Sequence, residues 1–184
     1  MYHISSIYFE KQILYFGFAF KMGNETSPPD EDGVIIHQFW QSGGGGTTPP
    51  LACYIRNGGS TNFRLEIVAR NNSTKNYFGD TTGSDPYVLA KVELEKDKYY
   101  DFKMEFQPSY HGDGIAGRFK MWMDGTVISD YPAIDIGYDP DIQLDPNGKK
   151  PDEFLHNTIG IYRYGPEPHF QCYFDNVRLS TTPF

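Results

Sequence analysis

The chain has 184 residues, and its 16 Lys plus Arg stand against 24 Asp plus Glu for a formal charge of −8. Nucleic-acid binding, which needs a basic field, is excluded; a polyanionic sugar is not, because local arginines can outweigh a distant acidic surface. Hydrophobic residues make up 39% and aromatics 16%, with no run near the ~20 apolar residues of a membrane span.

Strand formers broken at intervals by 19 glycines and 13 prolines point to an all-β protein. Met1–Glu10 lacks a basic n-region and a long apolar h-region, so no secretion signal is read there. Ile13–Lys21 alternates Leu14, Phe16, Phe18 and Phe20 against Tyr15, Gly17, Ala19 and Lys21, the period of a half-buried strand. A polar loop over Gly23–Gly33 leads to a strand over Val34–Gln41, closed by Ser42 and the run Gly43–Gly46. Leu51–Arg56 and Phe63–Arg70 form a hairpin across Asn57-Gly58-Gly59. Tyr87–Leu94 and Tyr99–Gln107 follow, and Gly117–Met123 pairs with Thr126–Ser129 across Asp124-Gly125. Asp139–Pro151 reads as a loop, and strands over Thr158–Tyr164 and Phe170–Leu179 complete the series. The expected fold class is an antiparallel β-sandwich of jelly-roll, concanavalin-like type. It forms one domain over residues 1–184, with one sheet face left open as a groove.

Two strands carry the candidate chemistry. In the first, alternation puts Ile36, Gln38 and Trp40 on one face and Ile35, His37 and Phe39 on the other. A mid-strand glutamine among apolar neighbours must have its amide satisfied. An amide beside a flat ring also suits a sugar-binding floor. In the second, Thr158, Gly160, Tyr162 and Tyr164 share a face, and a strand glycine marks close approach of a ligand or another backbone. Tyr162 then has space before its hydroxyl. The hairpin between them adds Tyr54 and Arg56 at one parity, and Arg64, Glu66 and Arg70 at one parity of its other strand. Cross-strand charge pairs on a solvated face are the alternative for those arginines. Cys53 and Cys172 are too few for a disulfide scaffold and alternate with apolar residues, so buried thiols are expected; one long-range disulfide is the oxidising-compartment alternative.

Four blocks resemble the β-jelly-roll polysaccharide lyases, the group with heparin-lyase-I-like and glucuronan lyase domains. They are Val34-Ile35-Ile36-His37-Gln38-Phe39-Trp40, Pro50–Gly58, Tyr100–Lys103 through Gly117–Gly125, and Ile159-Gly160-Ile161-Tyr162-Arg163. The resemblance implies cleavage of a uronic-acid polymer, glucuronan-like, by β-elimination. Hydrogen-bond donors neutralise the uronate carboxylate so that an enolate-like state can form. A base takes the C5 proton, and an acid protonates the departing oxygen. By resemblance Gln38 is the neutralising donor and Tyr162 is base, acid or both in turn. Arg56 and Arg70 would hold neighbouring uronates, and Trp40, Tyr54 and Tyr164 would be platforms. An ordinary tyrosine keeps its proton at neutral pH, so nearby cations are expected to assist.

The resemblance further implies a secreted, extracellular monomer acting on an acidic polysaccharide. No cofactor is required, although it allows a structural calcium ion, for which Asp175 could supply an oxygen. Thr158 and Trp40 stand where related lyases often carry lysine and histidine, and Ser5–Tyr8 lacks their arginine–acid pair. A non-catalytic carbohydrate-binding domain with the same groove is therefore the alternative. A glycoside hydrolase would need two carboxylates ~5–5.5 Å or ~6.5–9.5 Å apart, and no block presents an acidic pair at strand parity.

Overall fold

The structure is a computed structural model that describes residues 2–8, 12–27, 29, 33–41, 49–58, 63–71, 86–109, 116–139, 154–162 and 169–184. Its strands are β1 (Tyr2–Tyr8), β2 (Leu14–Met22), β3 (Val34–Trp40), β4 (Leu51–Asn57), β5 (Phe63–Ala69) and β6 (Tyr87–Leu94). They continue with β7 (Tyr100–Gln107), β8 (Arg118–Met123), β9 (Thr126–Tyr131), β10 (Phe154–Tyr162) and β11 (Cys172–Ser180). A six-stranded sheet runs β1-β10-β3-β4-β5-β6, and a five-stranded sheet runs β11-β2-β7-β8-β9. Every ladder between these strands is antiparallel. The expected sandwich is what forms.

Alternation drives it. Phe16, Phe18 and Phe20 of β2 and Phe102, Met104 and Phe106 of β7 turn inward from the smaller sheet. They meet Ile36, Phe39, Leu51, Ile55, Leu65 and Ile67 of the larger one. Phe39 and Phe106 touch across the gap with ring centroids 4.7 Å apart. Each such buried side chain contributes about 1.5–3 kcal/mol. The Asp124-Gly125 turn joins β8 to β9 with both residues at positive φ, 50° and 75°, the left-handed pair that a two-residue hairpin requires.

The ends of the sheets are laced together by residues 134–138. Gln41 binds the Tyr138 backbone twice, Nε2 donating to its carbonyl at 2.7 Å and Oε1 accepting from its N–H at 2.8 Å. Asn71 Nδ2 donates to Asp135 O at 3.2 Å, and Ser109 Oγ donates to Asp135 Oδ1 at 2.9 Å. Gly117 lies so close beneath this segment that a Cβ there would collide with Ile134 O.

The structure differs from the sequence expectation in two elements. The start of the chain forms β1, an edge strand laid along β10, where no strand was expected. Strand β10 begins at Phe154, before the expected Thr158. In both, weakly apolar stretches are held by ladders to neighbouring strands, and tertiary pairing outweighs local pattern. The glycine run Gly43–Gly46, Gly59 and nearly all of the Asp139–Pro151 loop lie outside the described residues. Both cysteines are free thiols, Cys53 in the core and Cys172 half-buried on the other sheet. Burial pushes the Cys172 thiol up to about 12 and that of Cys53 higher still.

Candidate active site

Which residues face outward from the six-stranded sheet is decided by an irregularity in β3. Ile35 pairs with Tyr54 and His37 with Cys53, so β3 carries one extra residue there against β4. Strict alternation fails at that bulge. Ile36 lies in the core, and His37, fully buried, stacks on Phe16 of the opposite sheet with centroids 4.4 Å apart. The expected grouping of Ile36 with Gln38 and Trp40 is therefore corrected. Ile35 shares their outer face, packed in a separate patch with Ala52, Tyr54 and Val68.

On that face Gln38 pairs with Thr158 of β10, whose Oγ1 donates to Gln38 O at 3.3 Å. Tyr162 pairs with Ile35, three positions along β3, or about 10 Å. Gln38 is 8% exposed and Tyr162 39%. Two polar side chains from adjacent strands thus flank an interval of about 10 Å, the first a floor group and the second more exposed. Between them β10 slips by one residue against β3. Gly160 lies inside the slip at φ 132°, a backbone region costly for any side-chain-bearing residue. The glycine was read as a place of close approach; its conformation supplies a second reason for it.

The arginines sort differently. Arg56 lies over the Tyr54 ring, 4.7 Å from its centroid, so Tyr54 offers its face to a guanidinium. Arg56 Nε is 2.7 Å from Glu66 Oε2, and Arg64 Nη2 is 2.8 Å from Glu66 Oε1. Lys91 Nζ approaches the same carboxylate at 3.5 Å. Three cations converge on one nearly buried acid and leave net positive charge on the open face. Glu66 and Lys91 were not expected as site residues, and the parity match of Glu66 with Arg64 was the signal available for the former. Arg70 leaves the set: it is 6% exposed and its Nη1 donates to Pro49 O at 3.1 Å. Its backbone N–H and carbonyl bind Pro50 and Gly137. A guanidinium so enclosed anchors a loop and is not presented to a ligand. Trp40, half-buried, pairs with His156 at the end of β3. Tyr164 lies outside the described residues.

Beneath the face His37 Nε2 bonds Asn157 Oδ1 at 2.9 Å, and Cys53 Sγ lies 3.7 Å from His37 Nδ1. The order Cys-His-Asn imitates a nucleophilic triad. All three are fully buried, desolvation holds His37 down at about 4, and the thiol is pushed up. A group with neither access nor a thiolate attacks nothing; this cluster ties β3 to β10.

A family model described as polysaccharide lyase matches residues 5–178. No curated protein sequence matches the chain. The structure resembles an endo-β-1,4-glucuronan lyase from the fungus Trichoderma reesei, with a TM-score of 0.59 and 16% identity over 98% of this chain and 75% of that one. It also resembles an alginate lyase from Pseudomonas aeruginosa, TM-score 0.56 and 15% identity, over 95% and 67% of the two chains. An alginate lyase variant in complex with an alginate trisaccharide gives 0.52 and 14%, over 96% and 72%. At these identities the likeness shows the fold.

Proposed function

This chain belongs to the polysaccharide lyase family, and we propose that it cleaves a uronate polymer, glucuronan first among them, by β-elimination at Gln38 and Tyr162. The observation that carries this reading is their placement on one outer face from adjacent strands, about 10 Å apart along the sheet and within reach of one another's long side chains across a bound sugar. The amide of Gln38 donates to the uronate carboxylate and lowers the cost of charge developing at C5. Tyr162, as the phenolate, takes the C5 proton. The C5–H electron pair becomes the C4=C5 double bond as the C4–O bond breaks, and the departing oxygen receives the proton back from Tyr162. No water is consumed, and the enzyme ends as it began.

Arg56, Arg64 and Lys91 supply positive charge on the same sheet that holds neighbouring carboxylates of the polymer. Thr158, where related lyases often carry lysine, leaves the proton to Tyr162 alone. An extracellular polymer as substrate is the reason to expect the enzyme outside the cell; among the described residues no helix is long and apolar enough to cross a membrane.

The test is a screen of glucuronan, alginate and other uronate polymers for the ultraviolet absorbance of unsaturated uronates. New absorbance is expected, with glucuronan giving the fastest rise. Binding of these polymers without new absorbance on any of them would overturn the reading.

A further inference from the structure

The blocks Tyr100–Lys103 and Gly117–Gly125 carry part of the family resemblance, yet they fall on the five-stranded sheet, away from the groove. Their outward residues form a row. Register sets Arg178 beside Gly17, Gly17 beside Lys103 and Lys103 beside Trp122, across β11, β2, β7 and β8. Three inter-strand spacings make the row about 14 Å long. Lys103 Nζ lies 5.4 Å from the Trp122 ring centre and 6.0 Å from that of Tyr15. Lys120 Nζ lies 5.3 Å from the Trp122 ring centre.

The row already holds an occupant that shows what chemistry fits. Gly17 leaves room for the ring of Phe184, which a Cβ would meet at 2.8 Å. That ring lies between Lys103 at 5.4 Å and Arg178 at 5.7 Å. Lys103 Nζ donates to Phe184 O at 2.6 Å. A flat ring against a backbone trough, with an acceptor oxygen on an ammonium, is the pair of contacts a uronate sugar makes. The acids nearby are largely committed: Asp130 pairs with Lys120 at 2.6 Å and Glu105 with Arg118 at 2.7 Å. Asp101 and the exposed Asp175 remain in the next row, on either side of Ala19, and the row itself contains no acid.

We propose that this outer face is a second binding surface for acidic polysaccharide, in which the sugar displaces Phe184, Lys103 takes a carboxylate in place of Phe184 O, and Trp122 and Tyr15 receive the flat faces of sugar rings. The choice of polymer rests on the uronate reading of the groove. On a chain of net charge −8, Arg178 and Lys103 beside the half-buried Tyr15 and Trp122 give the row a local positive charge that can meet a carboxylate. A polymer held there stays at high effective concentration around the groove on the opposite sheet.

Affinity electrophoresis tests this, with Tyr162→Phe as the non-cleaving parent in gels cast with glucuronan or alginate, and a neutral glucan as control. Lys103→Ala combined with Trp122→Ala should lose most of the retardation, at least about tenfold in affinity. The conservative Lys103→Arg should keep it, and added salt should weaken it. In the cleaving enzyme the same double change should leave turnover of a short uronate oligosaccharide within about twofold. If the double variant melts early, Lys103→Glu alone serves, and it should reduce retardation to what the groove alone gives. Retardation unchanged by Lys103→Glu, or equal loss in the neutral gel, overturns the proposal. Lys103-dependent retardation without elimination products removes only the groove reading. Products with Lys103-independent retardation remove only this second surface.

Discussion

In the proposed mechanism Tyr162 and Gln38 carry the chemistry, and each makes its own prediction. Tyr162→Phe keeps the ring and removes the proton carrier. Since acid–base transfer contributes ~10²–10⁴-fold, turnover should fall at least about 10²-fold with substrate binding little changed. Gln38→Ala removes one charge-stabilising donor and should cost on the order of 10²–10³-fold. The double variant should be little worse than Tyr162→Phe, because groups acting in one step fail together. Turnover preserved in Tyr162→Phe, with only a lower melting temperature, would return that residue to the wall of the sheet. His37 makes a different prediction. Desolvation holds its folded value at about 4 against an ordinary 6.5, the Asn157 bond offsetting only part of it. Between those values the unfolded chain binds a proton that the folded one does not, so stability rises with pH through this window and is lost as pH falls. The loss should reach about 3 kcal/mol by pH 4. In His37→Gln the denaturation midpoint should depend on pH less steeply by about one proton; an unchanged slope would show that another group is responsible.

At the scale of elements, the irregularities of β3 and β10 matter most. Alternation in the sequence put Thr158 and Tyr162 on one face, and they share it in the fold because their partners Gln38 and Ile35 do, although β10 slips between Ile159 and Tyr162. It failed for Ile36 because a bulge inserts a residue without changing composition, and nothing in Val34–Trp40 marks where the extra residue sits. Arg70 was misread for a related reason: its parity is that of the open face, while the loop carbonyl that captures it comes from Pro49, distant in sequence. Two of the positive-φ glycines, Gly160 and Gly125, separate shape from function. Gly160→Ala should destabilise by ~1–3 kcal/mol and also cut turnover, because the strained residue lies two positions from Tyr162. Gly125→Ala, in the β8–β9 turn, should lower the melting temperature by about 2–4 °C per kcal/mol and leave turnover as it was. Equal turnover in the two variants would dissociate the slip in β10 from catalysis.

Across the molecule, the sandwich was legible because Phe, Ile and Leu recur at period two in segment after segment, and turn residues separate them. Strand β1 was not, since its ladder depends on a partner roughly a hundred and fifty residues away and leaves little pattern in Tyr2–Tyr8. The sequence contains no calcium-loop spacing, and no group of three or more His, Cys, Asp or Glu among the described residues could hold a metal ion. We expect a chelator to leave elimination activity largely intact; complete loss, restored by calcium, would reverse that expectation.

The order of strands in the larger sheet also sets a clock. Strand β10 lies between β1 and β3, both of which leave the ribosome long before it. At ~5–20 residues per second the interval between β1 and β10 is roughly 7–30 s. During that time β1 has no ladder, β3 shows a bare edge, and Gln38 has no Tyr162 beside it. A nascent or truncated chain ending before β10 therefore lacks the proposed Gln38–Tyr162 pair, and the strand that completes the sheet is the last of it to be born.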